Sequence, residues 1–543
     1  MFTSAQALSL FPLLSAFIPS ALALDASAMR SKSVYQVITD RFARNSSVTT
    51  TCNVADRTYC GGTWSAIASE LDYISGMGFD TVWISPVVSN IGGTTGEGES
   101  YHGYWTLDPN TLNSNFGTAD ELRALSTALH NKGMYLMVDV VVNHVAATSS
   151  STFTPSAAYG PFSAQDDFHP FCWITDYSNQ TMVEQCWLGD SSVALPDLNT
   201  ESNTVKQYWD TWITQLVSNY TVDAIRIDTV KHISQAFWPD FVNAAGVFNQ
   251  GEVLQGDAAY VGPYQNNAQV NPFNYPVYYP LVRAFNGTNQ NLQELTTMVS
   301  TVKSSFNDPT LLGSFLNNHD NPRFESYVAD TSLIKNAHAY PHVSDGIPYV
   351  YYGSEAGFKG GNDPDNREPL WTTSYDTNSD MYKFFASLNA ARSAAGNASS
   401  SFYTNQMNVS TLSNTALLVN KAPLISVLST SGSSAADASV TVPSSASGWA
   451  SNTKVVDAVS CNELTTDGSG NLAVTIKQGL PVVLIASSQK GAVCANGTTS
   501  SGSGSGSGSS SSSKSAGEKT ASGMGLWMAG ALSAAVFGLQ ALL

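Results

Sequence analysis

Short apolar runs alternate along most of the chain with stretches in which apolar residues recur at helical spacing. The clearest apolar runs lie at 34–39, 81–86, 134–142 and 347–352. Runs of this length, rich in β-branched and aromatic residues, are typical of β-strands. The segments 64–77 and 119–130 have the spacing of amphipathic helices. Repeated strand–helix units indicate a parallel α/β architecture, and the count of about eight strands predicts a (β/α)8 TIM barrel.

Three further apolar runs of the predicted barrel end on an acidic residue. They occupy 222–228, 247–252 and 311–320, and they end on Asp228, Glu252 and Asp320. About one βα unit separates Asp228 from Glu252, so both carboxylates should lie at the same rim of the barrel. Arg226 and Asp228 are two apart, and residues two apart on a strand share one face. The sixth strand is predicted at 274–278.

The carboxylates at this rim point to a reaction class. Glycoside hydrolysis needs one ionised carboxylate as nucleophile and one protonated carboxyl group as general acid. Each Asp taken singly has a simpler interpretation, which is that it caps the helix that follows. Three acidic groups that each follow an apolar run, with an Arg and a His among them, favour the catalytic interpretation.

Two stretches depart from the strand–helix pattern. Residues 145–198, after the third strand, have little periodicity and predict an irregular subdomain inserted in the barrel. Over 405–495, short apolar runs separated by Ser, Gly and Asn predict a C-terminal all-β sandwich domain. Because 543 residues are too many for one compact core, we expect a catalytic barrel at 24–404, which contains the insert, and this second domain.

Both ends of the chain have the composition of processing signals. Residues 1–23 have an apolar centre and end in Ala-Leu-Ala, a cleavage pattern typical of a secretory signal peptide. Residues 496–523 form a Ser/Gly-rich linker, and 524–543 are apolar and uncharged. A transmembrane helix is one interpretation of this tail, but no basic residues follow it. A GPI-attachment signal matches better, with Ser515 as the attachment residue and 524–543 removed. We therefore expect a secreted, cell-surface protein, GPI-anchored to the plasma membrane or cell wall.

Cysteines, sequons and charge agree with an extracellular setting. The expected disulfides pair Cys52 with Cys60, Cys172 with Cys186 and Cys461 with Cys494, by proximity along the chain. The Asn-x-Ser/Thr glycosylation sequons lie at Asn45, Asn179, Asn219, Asn286, Asn397, Asn408 and Asn496. The net charge of −18 argues against nucleic acid as a partner.

Four ordered motifs carry a resemblance to a known family. They read DVVVNH at 139–144, AIRIDTVKH at 224–232, GEVL at 251–254 and FLNNHD at 315–320. The stretches YHGYW at 101–105 and GNDPDNRE at 361–368 match as well. With these motifs the sequence resembles the α-amylase family of retaining glycoside hydrolases (glycoside hydrolase family 13). It is most similar to the secreted fungal α-amylases, here in a GPI-anchored form, from about Ser33 to Cys494.

The resemblance implies roles for the predicted site residues. Asp228 would be the nucleophile, Glu252 the general acid/base and Asp320 the carboxylate that distorts and orients the sugar. Arg226 would hold Asp228 ionised, because an adjacent cation lowers a carboxylate pKa. The implied substrate-binding residues are His102, Tyr104, Trp105, His144, Arg226, Lys231, His232, His319, Asp363 and Arg367. Within this set Tyr104 would stack on the sugar, with Lys231 and His232 on the leaving-group side and Asp363 and Arg367 on the non-reducing side.

The resemblance also implies a structural Ca²⁺ between the barrel and the insert. Its ligands would be Asn143, Glu184, Asp197 and the main-chain carbonyl of His232, because a hard cation takes oxygen ligands from scattered loops. A polar loop held together by hydrogen bonds is the alternative interpretation of these residues.

Three positions depart from the usual fungal pattern, which leaves the function open at one point. Gln255 and Asn317 stand where Asp and Glu are common, and Ser354 stands where Gln is common. Gln255 lies near the leaving-group subsites, so the balance between hydrolysis and transglycosylation is in question.

Three functions are compatible with these features. We expect a monomeric α-amylase that cleaves internal α-1,4-glucosidic bonds of starch-like α-glucans with retention. The alternative is a 4-α-glucanotransferase that acts in fungal cell-wall α-glucan metabolism. A non-catalytic α-glucan-binding wall protein is a third possibility, and the intact Asp228, Glu252 and Asp320 argue against it.

Overall fold

The structure, a computed structural model, describes residues 24–494. The predicted signal peptide at 1–23, the linker at 496–523 with Asn496 and Ser515, and the tail at 524–543 lie outside the described residues. Within 24–494, no helix is both long enough and apolar enough to cross a membrane.

Eight parallel strands form the barrel. They are β1 (Val34–Gln36), β2 (Thr81–Ile84), β3 (Tyr135–Val140), β4 (Ala224–Ile227), β5 (Phe248–Gly251), β6 (Asn271–Pro272), β7 (Gly313–Phe315) and β8 (Ile347–Tyr351). Their order in the sheet is β6-β5-β4-β3-β2-β1-β8-β7, and all the pairs are parallel. A parallel bridge between Phe273 and Gly313 closes the sheet between β6 and β7. The predicted (β/α)8 barrel is confirmed.

Helices follow the strands and cover the outside of the barrel. They are Trp64–Ser69 and Leu71–Gly76 after β1, Ala119–Asn131 after β2, Asn203–Tyr220 after β3, Trp238–Ala245 after β4, Ala258–Asn266 after β5, Tyr275–Phe285 and Gln293–Ser305 after β6, Thr331–Val343 after β7 and Asp380–Ala398 after β8. In the helix after β2, Leu122, Leu125 and Leu129 recur at helical spacing and are fully buried. They belong to the same hydrophobic core as Leu136 and Val138 of β3. The apolar stripe therefore fixes which face of this helix packs on the barrel.

The sixth strand is not where the sequence pattern places it. Residues 275–278 begin the helix Tyr275–Phe285, and β6 is the shorter segment Asn271–Pro272 just before it. Asn274 caps this helix, since its side chain accepts a hydrogen bond from Val277 N, and Pro276 lies in the first turn. Short apolar runs fit a buried helix as well as a strand, and here the cap and the proline decide for the helix.

The insert returns directly to the end of β3. It contains the helix Gln180–Gln185 and a two-stranded pair of Leu188–Gly189 with Ala194–Leu195. Leu198 N donates to Asn143 O at 2.9 Å. The last residues of the insert therefore lie beside the residues that follow β3. A separate hairpin, Val88–Asn90 with Thr106–Leu112, projects after β2.

The C-terminal part is an all-β domain. Its strands are β9 (Asn408–Ser413), β10 (Ala416–Lys421), β11 (Leu424–Ser429), β12 (Ala438–Val442), β13 (Lys454–Asp457), β14 (Glu463–Thr465), β15 (Leu472–Ile476) and β16 (Val482–Ala486). Six of them form one antiparallel sheet in the order β9-β10-β11-β16-β13-β14, and β12 pairs with β15. Leu418 and Ile425 of the large sheet share a hydrophobic cluster with Val442 and Val474 of the small one. The two sheets therefore pack face to face.

The expected covalent links within 24–494 are present. Disulfides join Cys52 to Cys60, Cys172 to Cys186 and Cys461 to Cys494, which confirms the predicted pairing. The glycosylation sequons in the described residues lie at Asn45, Asn179, Asn219, Asn286, Asn397 and Asn408, and each asparagine is exposed. Their occupancy stays a prediction.

Candidate active site

Three carboxylates meet one arginine at the C-terminal rim of the barrel. Asp228 and Glu252 directly follow β4 and β5, and Asp139 of β3 lies in register with Arg226 of β4. Arg226 Nη1 lies 3.0 Å from Asp139 Oδ1 and 2.7 Å from Asp228 Oδ1. Arg226 Nη2 lies 2.9 Å from Glu252 Oε2. The structure thus places the predicted nucleophile and the predicted acid/base on the two nitrogens of one buried guanidinium group.

Asp320 lies at the same cavity, after β7. A cavity wall that includes Arg226 and Glu252 also includes His319 and Asp320. His319 Nε2 lies 3.2 Å from Asp320 Oδ2, and Arg367 Nη2 lies 3.7 Å from Asp320 Oδ1. The three carboxylates predicted from separate motifs are therefore brought to one place.

Burial raises the pKa of every carboxyl group in this cluster. For Asp228, burial outweighs the attraction of Arg226, so the net pKa lies above its ordinary value. Arg226 lowers the pKa of Asp228, as expected, but the effect of burial is larger. Burial also raises the pKa of Glu252, with the charge of Asp228 acting in the same direction and Arg226 opposing it. The pKa of Asp139 rises to about 7, mainly through burial. The cluster therefore retains protons toward neutral pH, which is what a general acid requires.

Asp320 differs from the other carboxylates in its exposure. Burial of the carboxyl group in the cavity and the negative charge of Glu252 raise the pKa of Asp320. Its side chain nevertheless keeps 34% of its surface exposed, so water moderates this rise.

Asp139, the first residue of the DVVVNH motif, is a site residue for which the sequence predicts no role. It is 1% exposed and accepts hydrogen bonds from Trp83 Nε1 at 3.0 Å and Tyr104 Oη at 2.7 Å, in addition to Arg226. A strand-borne Asp in register with Arg226 across two neighbouring parallel strands is the signal that could have found it. Its hydrogen bonds fix the orientation of both Arg226 and Tyr104.

The predicted sugar-stacking residue, Tyr104, packs against two histidine rings. Tyr104 stacks on His319 with ring centroids 5.1 Å apart and planes 6° apart. It also stacks on His102 with ring centroids 5.8 Å apart, and Trp105 meets the His102 ring edge-on at 4.7 Å. The aromatic residues thus support one another around the rim.

The predicted sugar-binding histidines are neutral. Burial lowers the pKa of His144 to about 4. It also lowers the pKa of His102 and His319, with Arg367 acting in the same direction on both and Arg226 on His319. Neutral imidazoles are suited to exchange hydrogen bonds with uncharged hydroxyl groups.

Asp363 and Arg367 form a polar clamp on one side of the rim. Arg367 Nη1 lies 2.9 Å from Asp363 Oδ1, and Tyr101 Oη lies 3.3 Å from the same oxygen. Arg57, for which the sequence predicts no role, is a second cation beside Asp363. Its Nη2 lies 3.7 Å from Asp363 Oδ2, and its Nη1 lies 2.6 Å from Glu97 Oε2. Arg57 comes from the loop closed by the Cys52–Cys60 disulfide. The proximity of this loop to Asp363 is visible only in the fold.

Lys231 and His232 lie on the side of the insert. Lys231 Nζ donates to Leu254 O at 3.0 Å and lies 5.1 Å from the ring centre of Tyr177. The His232 ring is buried and its Nδ1 lies 3.2 Å from Val183 O. The insert therefore contributes Tyr177 to the edge of the site.

The predicted calcium ligands come together as two pairs. Asn143 Nδ2 donates to Asp197 Oδ1 at 3.0 Å, and both residues are buried. Gln180 Nε2 bridges Glu184 Oε1 at 2.8 Å and Lys231 O at 3.0 Å, which places Glu184 beside the main chain that leads into His232. All of the predicted donor atoms are oxygens.

This donor set fits a hard cation and no softer metal. Among residues 24–494, no group of three or more His, Cys, Asp or Glu side chains is arranged to hold a metal ion. The predicted set has only two carboxylates, and its other donors are an amide and a main-chain oxygen, which are ligands that Ca²⁺ accepts. Burial raises the pKa of Asp197 to about 7 and also raises the pKa of Glu184. A bound cation would stabilise the ionised form of both carboxylates.

Comparison with known proteins settles the family. The model described as "Alpha amylase, catalytic domain" matches residues 36–406. The chain belongs to the α-amylase family. The model described as "Alpha-amylase, domain C" matches residues 401–502, which include the all-β domain.

Individual members of the α-amylase family are similar over most of this chain. An alpha-amylase of Saccharomycopsis fibuligera is 45% identical over 472 residues, which are 87% of this chain and 94% of that protein. Alpha-amylase 1 of Lipomyces kononenkoae is 55% identical over 382 residues, 70% of this chain but only 61% of that protein. A solved alpha-amylase structure from Malbranchea cinnamomea aligns with a TM-score of 0.83 at 42% identity, covering 86% of this chain and 98% of that one. The protein therefore has α-amylase function: it is a glycoside hydrolase, and α-glucans are its substrate class.

Proposed function

We propose that the protein hydrolyses internal α-1,4-glucosidic bonds of starch-like α-glucans with retention, through a covalent glycosyl-enzyme. The observation that carries this proposal is that one guanidinium group holds both carboxylates: Asp228 Oδ1 lies 2.7 Å from Arg226 Nη1 and Glu252 Oε2 lies 2.9 Å from Arg226 Nη2. Inverting enzymes need about 6.5–9.5 Å between the two carboxyl groups to admit a water, and retaining enzymes about 5–5.5 Å. Two carboxyl groups bound to one guanidinium lie close together, which supports direct attack by one of them.

In the first half-reaction, an Asp228 oxygen attacks the anomeric carbon as the glycosidic C–O bond breaks. Glu252 gives its proton to the departing oxygen, which leaves as a sugar hydroxyl group. The raised pKa of Glu252 supports this acid role, and Arg226 favours the ionised form of Asp228 at the moment of attack. The product is an acetal ester between the sugar and Asp228.

In the second half-reaction, Glu252 acts as the base. Its carboxylate takes a proton from water, the water oxygen attacks the anomeric carbon and the bond to Asp228 breaks. Glu252 is protonated again and Asp228 is ionised, so the cycle closes. Two displacements at the same carbon restore its configuration.

Asp320 orients the sugar in both steps. Its carboxylate, held between His319 and Arg367, accepts hydrogen bonds from sugar hydroxyl groups, with His102 and His144 as further partners. Asp363 and Arg367 bind the next sugar on the non-reducing side, and Lys231 and His232 bind on the leaving-group side.

The test is to identify the residue that carries the sugar. In Glu252→Gln, a maltosyl fluoride should still glycosylate Asp228, because fluoride leaves without protonation, and hydrolysis of the adduct should be slow without the base. Mass spectrometry should find the sugar on the peptide that contains Asp228. The double variant Asp228→Asn/Glu252→Gln is the control and should give no adduct. Sugar on another carboxylate, or a first product of inverted configuration, would refute the mechanism.

Gln255 supports a second candidate, a 4-α-glucanotransferase. It follows the Glu252 motif, is exposed, and accepts a hydrogen bond from Gly256 N at 2.7 Å. A neutral amide at this position leaves an acceptor sugar free of a nearby negative charge, so a sugar hydroxyl could replace water in the second step. Incubation with maltoheptaose distinguishes the two functions. Only shorter products are expected from a hydrolase, whereas early products longer than maltoheptaose would favour the transferase, and Gln255→Asp should then shift the ratio toward hydrolysis.

We propose that Ca²⁺ binds between barrel and insert through Asn143, Glu184, Asp197 and the carbonyl of His232. When bound, the cation supplies structural cross-linking of the insert to the barrel. Chelation should lower the thermal midpoint, because a ligand bound only to the native state stabilises it by mass action. Asn143→Leu should have the low midpoint with or without Ca²⁺. An unchanged midpoint after verified depletion would contradict the site.

We further propose that the mature protein is a secreted, GPI-anchored monomer. The support is the sequence at both ends together with the three disulfides and the exposed sequons. Phosphatidylinositol-specific phospholipase C should release the protein from membranes. Retention in the pellet together with the peptide 524–543, detected by mass spectrometry, would indicate a membrane-spanning tail instead.

A further inference from the structure

A buried carboxylate–histidine pair lies behind the wall of the active site that carries Asp320. His338 Nε2 is 2.6 Å from Glu325 Oε1, and the two side chains are 3% and 4% exposed. Glu325 belongs to the short turn Phe324–Ser326, and His338 to the middle of the helix Thr331–Val343. Such a pair stabilises a fold little compared with apolar residues of the same size, because both groups must be desolvated. Stability alone therefore does not account for the pair, and its other contacts indicate a different role.

The second oxygen of Glu325 holds Asn317. Asn317 Nδ2 donates to Glu325 Oε2 at 2.9 Å and to Ser354 Oγ at 3.1 Å, and Asn317 Oδ1 accepts from Phe324 N at 2.8 Å. Glu325 thus accepts two hydrogen bonds, one on each oxygen. The pKa of Glu325 is lowered, since the charge of His338 and the hydrogen bonds from His338 and Asn317 together outweigh the effect of burial.

Asn317 begins the segment that ends on Asp320. The following side chains are each tied to a different neighbour: Asn318 Nδ2 donates to Tyr275 Oη at 2.9 Å, and His319 Nδ1 lies 2.7 Å from Gln36 Nε2. Asn318 Oδ1 also accepts from Asp320 N at 3.0 Å. The position of the Asp320 carboxylate therefore depends on how firmly the start of this segment is held.

We infer that Glu325 and His338 are positioning residues for the reaction, which act through Asn317 to hold the segment 317–320 and so to place Asp320 and His319. This inference rests on the role proposed above for Asp320. Neither Glu325 nor His338 touches the substrate. The ionised carboxylate is required because both of its neighbours, His338 and Asn317, present N–H groups to it.

The pattern of donors and acceptors gives the inference a sharp test. In Glu325→Gln the side chain keeps its shape but can accept on only one side, and its NH₂ group then faces either the NH₂ of Asn317 or the His338 ring, whose Nε2 must give up its proton to accept. The double variant Asn317→Asp/Glu325→Gln restores the match. The amide introduced at position 325 can accept from His338 and donate to the carboxylate introduced at position 317. That carboxylate still accepts from Phe324 N, and the Ser354 hydroxyl, which accepts from the Asn317 amide in the original protein, can rotate to donate to it.

We expect Glu325→Gln to lower kcat on maltoheptaose by about 10- to 100-fold with a smaller change in KM, as for a displaced catalytic group. The double variant should recover most of this loss. The control is Lys421→Gln, which breaks a buried ion pair elsewhere, between Lys421 Nζ and Asp345 Oδ1 at 2.7 Å, at the contact with the C-terminal domain. It should lower the thermal midpoint and leave kcat unchanged.

The outcomes separate this inference from the proposed function. If Asp320→Asn retains full activity, the proposed role of Asp320 fails. The positioning role is refuted if Asp320→Asn is inactive while Glu325→Gln is folded and has the kcat of the original protein. It is also refuted if the double variant Asn317→Asp/Glu325→Gln recovers thermal stability but not kcat.

Discussion

At the residue scale, the active site depends on one arginine shared by several acids. Arg226 contacts Asp139, Asp228 and Glu252, and it lowers the pKa of Asp228 and of Glu252 against the larger effect of burial. Shared in this way, it permits one carboxylate to be ionised while another holds a proton. Two groups with different protonation states are the condition for the proposed mechanism.

The pH profile should report both groups. Activity needs Asp228 ionised, so it falls as pH falls through the Asp228 pKa, which burial raises above the ordinary value. It needs Glu252 protonated, so it falls as pH rises through the raised pKa of Glu252. The dependence of kcat/KM on pH should therefore be bell-shaped. In Arg226→Gln both limbs should move to higher pH, and kcat should fall by about 100-fold. Limbs that do not move in a folded variant would contradict this account.

Arg57 should affect binding rather than chemistry. It links Glu97 to Asp363 at the non-reducing side and is partly exposed. Arg57→Gln should raise KM about two- to fivefold with kcat nearly unchanged, because a partly solvated ion pair contributes little and acts equally on substrate and transition state. Arg123→Gln, which breaks an exposed pair with Asp120 on a helix, is the matched control and should change neither constant. A large loss of kcat in Arg57→Gln would refute this assignment.

At the element scale, helix ends decide what apolar runs become. The run that begins at Tyr275 is helical because Asn274 caps it and Pro276 fits the first turn. This leaves only Asn271–Pro272 for β6, and Phe273 completes the barrel by its bridge to Gly313. One cap thus fixes the boundary between a strand and a helix within the barrel.

Asn274→Ala tests this cap. The side chain accepts from Val277 N at 3.2 Å, so its removal should lower the free energy of unfolding by about 1 kcal/mol, measured by urea denaturation. Asn274→Asp keeps an acceptor and should lose little. Equal losses in both variants would show that packing, and not the cap, holds this helix end.

At the scale of the whole molecule, buried carboxyl groups set the pH of greatest stability. Asp40 is fully buried beside Arg41 and accepts hydrogen bonds from the main-chain nitrogens of Cys60, Gly61 and Gly62. Burial is the largest effect on Asp40 and raises its pKa to about 7, against the attraction of Arg41. The folded protein therefore binds a proton at Asp40 that the unfolded chain has released.

The consequence is a loss of stability between acidic and neutral pH. Because the folded pKa of Asp40 lies above the unfolded value, its contribution is fully present below about pH 4 and is lost as pH rises through about 7. In constant excess Ca²⁺, the free energy of unfolding should therefore decrease from about pH 5 to about pH 7. Asp40→Asn should flatten this slope, whereas Asp72→Asn, at an exposed carboxylate, should not. A slope that survives in Asp40→Asn would assign the effect to other groups.

The sequence by itself determined the barrel, the all-β domain, the disulfide pairs and the three carboxylates at one rim. The barrel, the all-β domain and the shared rim depend on local periodicity and on the rule that the ends of parallel strands meet at one face, and the disulfide pairs on the proximity of the cysteines along the chain, so all can be read from the sequence. The assignment of Asp228, Glu252 and Asp320 to one site required no knowledge of loops. Each of these residues closes or follows its own strand.

Only the tertiary structure decided how these groups are charged and held. Arg226 reaches three carboxylates because β3, β4 and β5 pair in one register, which places Asp139 beside it. Burial of Asp228 then outweighs the lowering of its pKa by Arg226. The contact of Glu325 with His338 joins two elements whose proximity no local pattern encodes. Desolvation and contacts between distant segments depend on the whole packed chain. At the sixth strand the apolar spacing alone did not show that the run from Tyr275 is a helix, because the Asn274 cap that begins this helix is not part of the apolar pattern.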